Sequence, residues 1–216
     1  MPAPNSGLLM NIAVSSVPMT QNPQTGQKLA TAISKVIGSA CEDFLQRVFM
    51  DLGVPCNVTP PAMVGSVIGM GRLTGACPTE GEIKANAMSV ISSSGMSRPG
   101  QDSFVETISK VTAKGLAEFM AAAQVLPGTP IAGGVTAAPA RLTVPLQAIK
   151  SQLNMLAPPK MPGAAAVPSV SELPSDFPQI VIKVMNYALE QMAQMVMVAP
   201  GIPAPANLTA GPGKLM

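Results

Sequence analysis

The chain has 216 residues, 13 basic and 11 acidic, for a net charge of +2, and no Lys/Arg cluster of the kind that marks a nucleic-acid binder. It has no histidine, and its three cysteines, Cys41, Cys56 and Cys77, form no CxxC pair, so the commonest general base and the usual zinc-ligand sets are missing. Only 11% of the residues are charged while 47% are hydrophobic, almost all of them aliphatic or Met, a composition that suits surface buried against other subunits.

In chain order, Gly7 to Ser16 reads as a short helix stopped by Val17-Pro18, and residues 18–25 read as a linker. Leu29, Ile33, Val36, Ala40, Phe44, Val48 and Leu52 form the stripe of a first long helix, ended by Gly53 and Pro55. Thr79 and Glu82 make a capping box before a short helix from Ile83 to Ile91. Ser103 and Glu106 make another before a second long helix, striped by Val105, Ile108, Val111, Leu116, Phe119, Ala123 and Leu126. Residues 125–142 are a Pro/Gly-rich arm, and Thr143 and Pro145 introduce a short helix carrying Leu146, Ile149, Leu153 and Leu156. Residues 158–170 read as a second linker. Asp176 is the expected N-cap of a third long helix, with Phe177, Val181, Val184, Ala188, Met192 and Met195 on its apolar face. A last arm fills residues 198–215.

These elements recur. Ile33-Ser34-Lys35-Val36, Ile108-Ser109-Lys110-Val111 and Val181-Ile182-Lys183-Val184 are spaced by 75 and then 73 residues. In the same register fall Cys41, Leu116 and Leu189, then Phe44, Phe119 and Met192, then Pro55, Pro130 and Pro203. The arms end alike, in Arg72-Leu73-Thr74, Arg141-Leu142-Thr143 and Lys214-Leu215. The chain therefore reads as three units, residues 1–74, 75–142 and 143–216, each a long amphipathic helix followed by an extended arm. The expected fold is mainly α, with short connecting helices. Pro removes backbone donors and favours extended chain, so the arms are expected to lie in grooves on neighbouring units or subunits. Truncation of Ala199 to Met216 is then expected to impair assembly more than it impairs folding of the preceding helices.

No residue set argues for a reaction, and no catalytic, cofactor-binding or metal-binding residue is expected. The Gly-rich run Gly65 to Gly75 lacks the spacing of a dinucleotide or phosphate loop, and Gly213-Lys214 is followed by Leu215 where Walker A needs Ser or Thr. Ser34-Lys35 and Ser109-Lys110 are adjacent on a helix, so their side chains do not face each other. Glu42, Asp43, Glu118 and Glu190 suit exposed helix faces better than paired acid/base work, and Met185, Met192, Met195 and Met197 suit core filling better than copper binding. Spacing leaves a Cys56–Cys77 disulfide open, while the odd cysteine count fits a reducing compartment.

The helix-to-arm junctions, Val198-Ala199-Pro200-Gly201-Ile202-Pro203 and Leu126-Pro127-Gly128-Thr129-Pro130-Ile131-Ala132-Gly133-Gly134-Val135, with the endings Thr136 to Leu142 and Thr209 to Leu215 and with Asn11-Ile12-Ala13-Val14-Ser15-Ser16, resemble virion structural proteins of tailed bacteriophages, in the neck, tail or baseplate. The resemblance implies a structural, non-enzymatic role inside a virion put together in the host cytoplasm. Its partners would be other structural subunits, copies of the same chain among them, without nucleic acid or stable membrane insertion. The competing reading is a membrane-interacting lysis or penetration factor, although a helix that lies on a membrane usually carries Lys/Arg along its polar face and these do not.

Overall fold

A computed structural model describes residues 4–17, 23–92, 98–157, 173–205 and 207–216. The two sequence-read linkers fall largely outside these residues. The fold is mixed α/β, which corrects the mainly α expectation: among the described residues six helices accompany two antiparallel sheets. The order is α1 (Ser6–Ser16), α2 (Pro23–Arg47), β1 (Val48–Met50), β2 (Cys56–Thr59), β3 (Val64–Val67), β4 (Gly71–Gly75), α3 (Glu80–Ile91), α4 (Arg98–Ala122), β5 (Gln124–Val125), β6 (Pro130–Ala132), β7 (Val135–Thr136), β8 (Ala140–Thr143), α5 (Leu146–Asn154), α6 (Phe177–Met195), β9 (Met197–Val198) and β10 (Gly213–Lys214).

The long helices α2, α4 and α6 pack on one another at the centre of the helical end. Their apolar residues recur at alternating spacings of four and three, which keeps one seam of each helix turned to the others. Equivalent positions are all buried: Ile33, Ile108 and Val181; then Ile37, Thr112 and Met185; then Phe44, Phe119 and Met192. Between the last two sets lies a layer of small residues, Ala40, Gly115 and Ala188, and a Cβ on Gly115 would come within 2.8 Å of Met185 Cε. Phe44 and Phe119 meet edge to face, with ring centroids 5.9 Å apart, the arrangement their quadrupoles favour. Each short helix leans on two long ones in cyclic order: α1 on α2 and α6, α3 on α4 and α2, α5 on α6 and α4.

The long helices end at Arg47, Ala122 and Met195, and each passes at once into a strand of the same six-stranded sheet. Its order is β10-β1-β4-β5-β8-β9, and a bridge between Val198 and Leu215 joins the two ends into a closed ring. The register repeats three times. Met50 pairs with Leu73, Val125 with Leu142 and Val198 with Leu215, each within one unit. Gly71 pairs with Val125, Ala140 with Val198 and Gly213 with Met50, each between units. The strand residues facing inward are buried, Leu73, Leu142 and Leu215 among them.

Beyond this ring the arms form a second one. The sheet β2-β3-β6-β7 supplies four of its strands, and the third arm completes it through bridges of Pro55 with Leu208 and Val135 with Pro203, which match the β3–β6 pair of Ser66 with Pro130. Gly53, Gly128 and Gly201 turn the chain from the first ring into the second at φ of 76°, 99° and 91°, backbone that favours glycine. Their amides donate to Thr209, Val67 and Thr136 carbonyls of the preceding unit in the cycle, at 2.9, 2.7 and 2.8 Å. Prolines fit because their carbonyls do the pairing: Pro55 O accepts from Ile68 N, Pro130 O from Ala137 N and Pro203 O from Ala210 N.

Several local expectations change. Val48 and Ala123 fall just beyond their helices, Leu52 and Leu126 lie further out in the β end, and Leu52 is exposed. The second long helix begins at Arg98, so Ser103 is inside it and caps nothing at its start. Asp176 makes no side-chain cap bond. Residues 1–74, 75–142 and 143–216 each hold a short helix, a long helix and paired chain, with β4 and β8 running one residue past the boundaries. The arms pair with one another inside this single chain. Residues 199–216 carry β10 and the third arm, so a chain without them lacks the segments that close both rings.

Candidate functional site

The two rings, residues 48–75, 123–143 and 196–216, form a β end with its own surface chemistry. Its charged residues are Asp51, Arg72, Arg141 and Lys214, so three cations and one anion account for the whole net charge of the chain. Arg72, Arg141 and Lys214 occupy equivalent positions in β4, β8 and β10, each one residue before an inward Leu. Strand alternation turns them outward, and all three are exposed. None takes part in the ion pairs found among the described residues.

Most of the remaining exposed side chains are apolar, with Asn57, Thr59, Thr143 and Asn207 the polar ones among them. Leu52 (54% exposed), Ile68 (58%) and Met70 (59%) stand on the first unit, with Val135 on the second and Leu208 on the third. Of ten large hydrophobic side chains exposed among the described residues, seven belong to this end, which is about a third of the chain. Exposed apolar side chains are thus concentrated at this end and sparse on the helical one. Ring closure pairs the strand edges with one another, so this end presents side chains and not a free strand edge.

The residues tested for chemistry do not converge. Ser34 and Ser109 are buried and donate to the Thr31 and Glu106 carbonyls, at 3.0 and 3.2 Å, while Lys35, Lys110 and Lys183 are exposed. Glu118 pairs with Lys114 at 2.6 Å, Glu190 with Lys150, and Asp43 lies 3.9 Å from Arg47. Met185 and Met192 fill the helical core. Cys41, Cys56 and Cys77 are free thiols, and burial, with a smaller push from Glu42, drives the Cys41 thiol up to about 12. The Gly-rich run spans β3 and β4, where glycines allow close strand contact: a Cβ on Gly65 would fall 1.6 Å from the Asn57 carbonyl oxygen, and one on Gly71 would fall 2.9 Å from Met50 Sδ. Gly213 and Lys214 form β10. Among the described residues no group of three or more Cys, Asp or Glu is placed to hold a metal ion.

A cleft of about 460 Å³ opens between α1, α5 and α6, lined by Ile12, Lys150, Lys183, Asn186, Tyr187 and Glu190 among others. The Lys150–Glu190 ion pair ties α5 to α6 across one wall, and Asn186 Oδ1 is buried with no hydrogen-bond donor. The cleft has room for a small polar group.

In the sequence the basic-Leu endings mark repetition and carry no sign of a role. Their exposure could have been anticipated from strand alternation once the arms were read as strands. No protein-family model matches the chain, and no curated protein or solved structure is similar to it.

Proposed function

We propose that the protein is a structural subunit of a phage-like virion, built into the tail, baseplate or neck and holding its neighbours through the β end. The observation that carries this reading is the exposed apolar face of the two rings, with four charged residues in about seventy. A surface of this kind is costly in water and is relieved when a partner covers it. The helical end supplies a rigid core, and the closed rings present the contact face without a free strand edge that would recruit further copies indiscriminately. The phage setting rests on the resemblance of the helix-to-arm junctions.

The test is quantitative mass spectrometry of purified particles from the source of the chain, alongside particles made with its gene deleted. The expected result is a fixed copy number per particle and an assembly block, or incomplete particles, on deletion. Particles that lack the protein, or that assemble and function normally without it, would contradict the reading.

A further inference from the structure

We propose that the cleft between α1, α5 and α6 binds a small organic carboxylate, held by Lys150 and Lys183 with its apolar body against Ile12, Ile182 and the Tyr187 ring. The site lies at the helical end and is independent of the structural-subunit reading.

The repeat lets one unit be compared with the other two. α1 and α3 each lie closely along the long helix of their own unit, whereas α5 packs on α6 far more sparsely. In the first unit a Cβ at Gly38 would already meet Leu9 Cδ1 at 3.9 Å, so α1 lies directly over this position. The second unit has Ala113 there, and the third has Asn186, a much larger polar side chain. α5 is also the shortest of the three short helices, with 9 residues against 11 and 12. The cleft of about 460 Å³ opens at this departure from the repeat. Its size falls in the range of small-molecule sites, about 300–1,000 Å³.

The residues that depart from the repeat also change the chemistry. Ile182 stands where the other units have Ser34 and Ser109, and Tyr187 stands where they have Ser39 and Lys114. With half-buried Ile12 these give the cleft an apolar side. Asn186 lines it too, and its Oδ1 is buried with no donor. Buried polar groups are normally paired, and Gly38 and Ala113 show that the helix packing itself needs no amide here. Lys150 spends one of its three N–H bonds on Glu190 and keeps two for another acceptor. Lys183 takes part in none of the ion pairs found among the described residues. Two lysines and one glutamate therefore line the cleft, a net of one positive charge, which a carboxylate balances.

Hexanoate is the probe, and hexanamide is its neutral counterpart. Calorimetric titration of the full chain should show saturable hexanoate binding with a Kd on the order of 1 mM, and hexanamide should bind about tenfold more weakly. The chain has one tyrosine and no tryptophan, so its fluorescence reports from the cleft wall and should change along the same curve. Lys183→Gln should weaken hexanoate binding by about tenfold without moving the melting temperature, because the side chain is exposed. Asn186→Ala, which copies the residue of the second unit, should weaken it as well. Lys110→Gln changes the equivalent lysine of α4, which does not line this cleft, and should leave binding unchanged. No saturable binding, equal binding of hexanamide, heat without a change at Tyr187, or an equal loss in Lys110→Gln would each overturn the inference and leave the structural role untouched.

Discussion

Thr112 is the residue that fits its surroundings least. It is fully buried in α4, level with Ile37 and Met185, and its hydroxyl has no hydrogen-bond partner. A buried hydroxyl left unpaired costs about 1–3 kcal/mol, whereas a methyl of similar shape costs nothing to desolvate. Thr112→Val should therefore stabilise the chain by about 1 kcal/mol, visible as a raised melting temperature in calorimetry; a lowered one would show that the hydroxyl is satisfied or that the site needs it. At this scale the sequence was informative wherever helical periodicity applied. Ile33, Ile108 and Val181, and below them Phe44, Phe119 and Met192, all lie in the core their spacing assigned to them. Leu52 misled, because its place in the same stripe suggested a helix that in fact ends at Arg47. Val48 to Met50 leave the helix as a strand alternating buried and half-buried side chains.

Among the elements, α3 shows how local sequence and unit-to-unit contact combine. Thr79 and Glu82 form the capping box read from sequence: the Thr79 amide donates to Glu82 Oε2 at 2.8 Å, and Thr79 Oγ1 accepts from the Glu82 amide at 3.3 Å. Arg47, at the end of α2, donates to Glu82 Oε1 at 2.5 Å and ties the first unit to the second. The bond from the Thr79 amide first, and Arg47 next, hold the Glu82 carboxyl down to about 2 from its ordinary 4.5. A carboxylate with a depressed folded pKa stabilises fully above its unfolded value and ceases to do so as pH falls through the folded one. The Glu82 contribution should thus be present above about pH 4.5 and lost between there and about pH 2. Thr79→Ala should cost about 1 kcal/mol at neutral pH. Glu82→Gln should lower stability at pH 7 and have little effect at pH 2; an equal loss at both would show that charge plays no part. The helices were legible because a cap and a 3.6-residue period are local signals. The strands were not, since most span two to four residues, too few to show alternation, and their prolines argue for extended coil unless the partner of each carbonyl is known.

At the scale of the whole molecule, the sequence disclosed a spacing of 75 and 73 residues but not what that spacing builds. Nothing local in Phe49 and Lys214 says that they face each other, yet β1 pairs with β10 and so brings the last unit back to the first. That closure makes the arms walls of two rings, each lying on neighbouring units of the same chain, which is the first of the two places expected for them. Arm pairing within one chain, as opposed to exchange between chains, is the claim on which the rest depends. Cross-strand neighbours lie about 4.5–5.5 Å apart between Cα atoms, within reach of a disulfide. The direct measurement is oxidation of a Phe49→Cys/Lys214→Cys variant, with Cys77 replaced by serine, in dilute solution, followed by non-reducing electrophoresis and mass spectrometry. The expected product is a chain-length monomer with an internal disulfide joining the two introduced thiols and a melting temperature above that of its reduced form; covalent dimers or longer ladders at the same dilution, or no link at all, would contradict the closed single-chain ring.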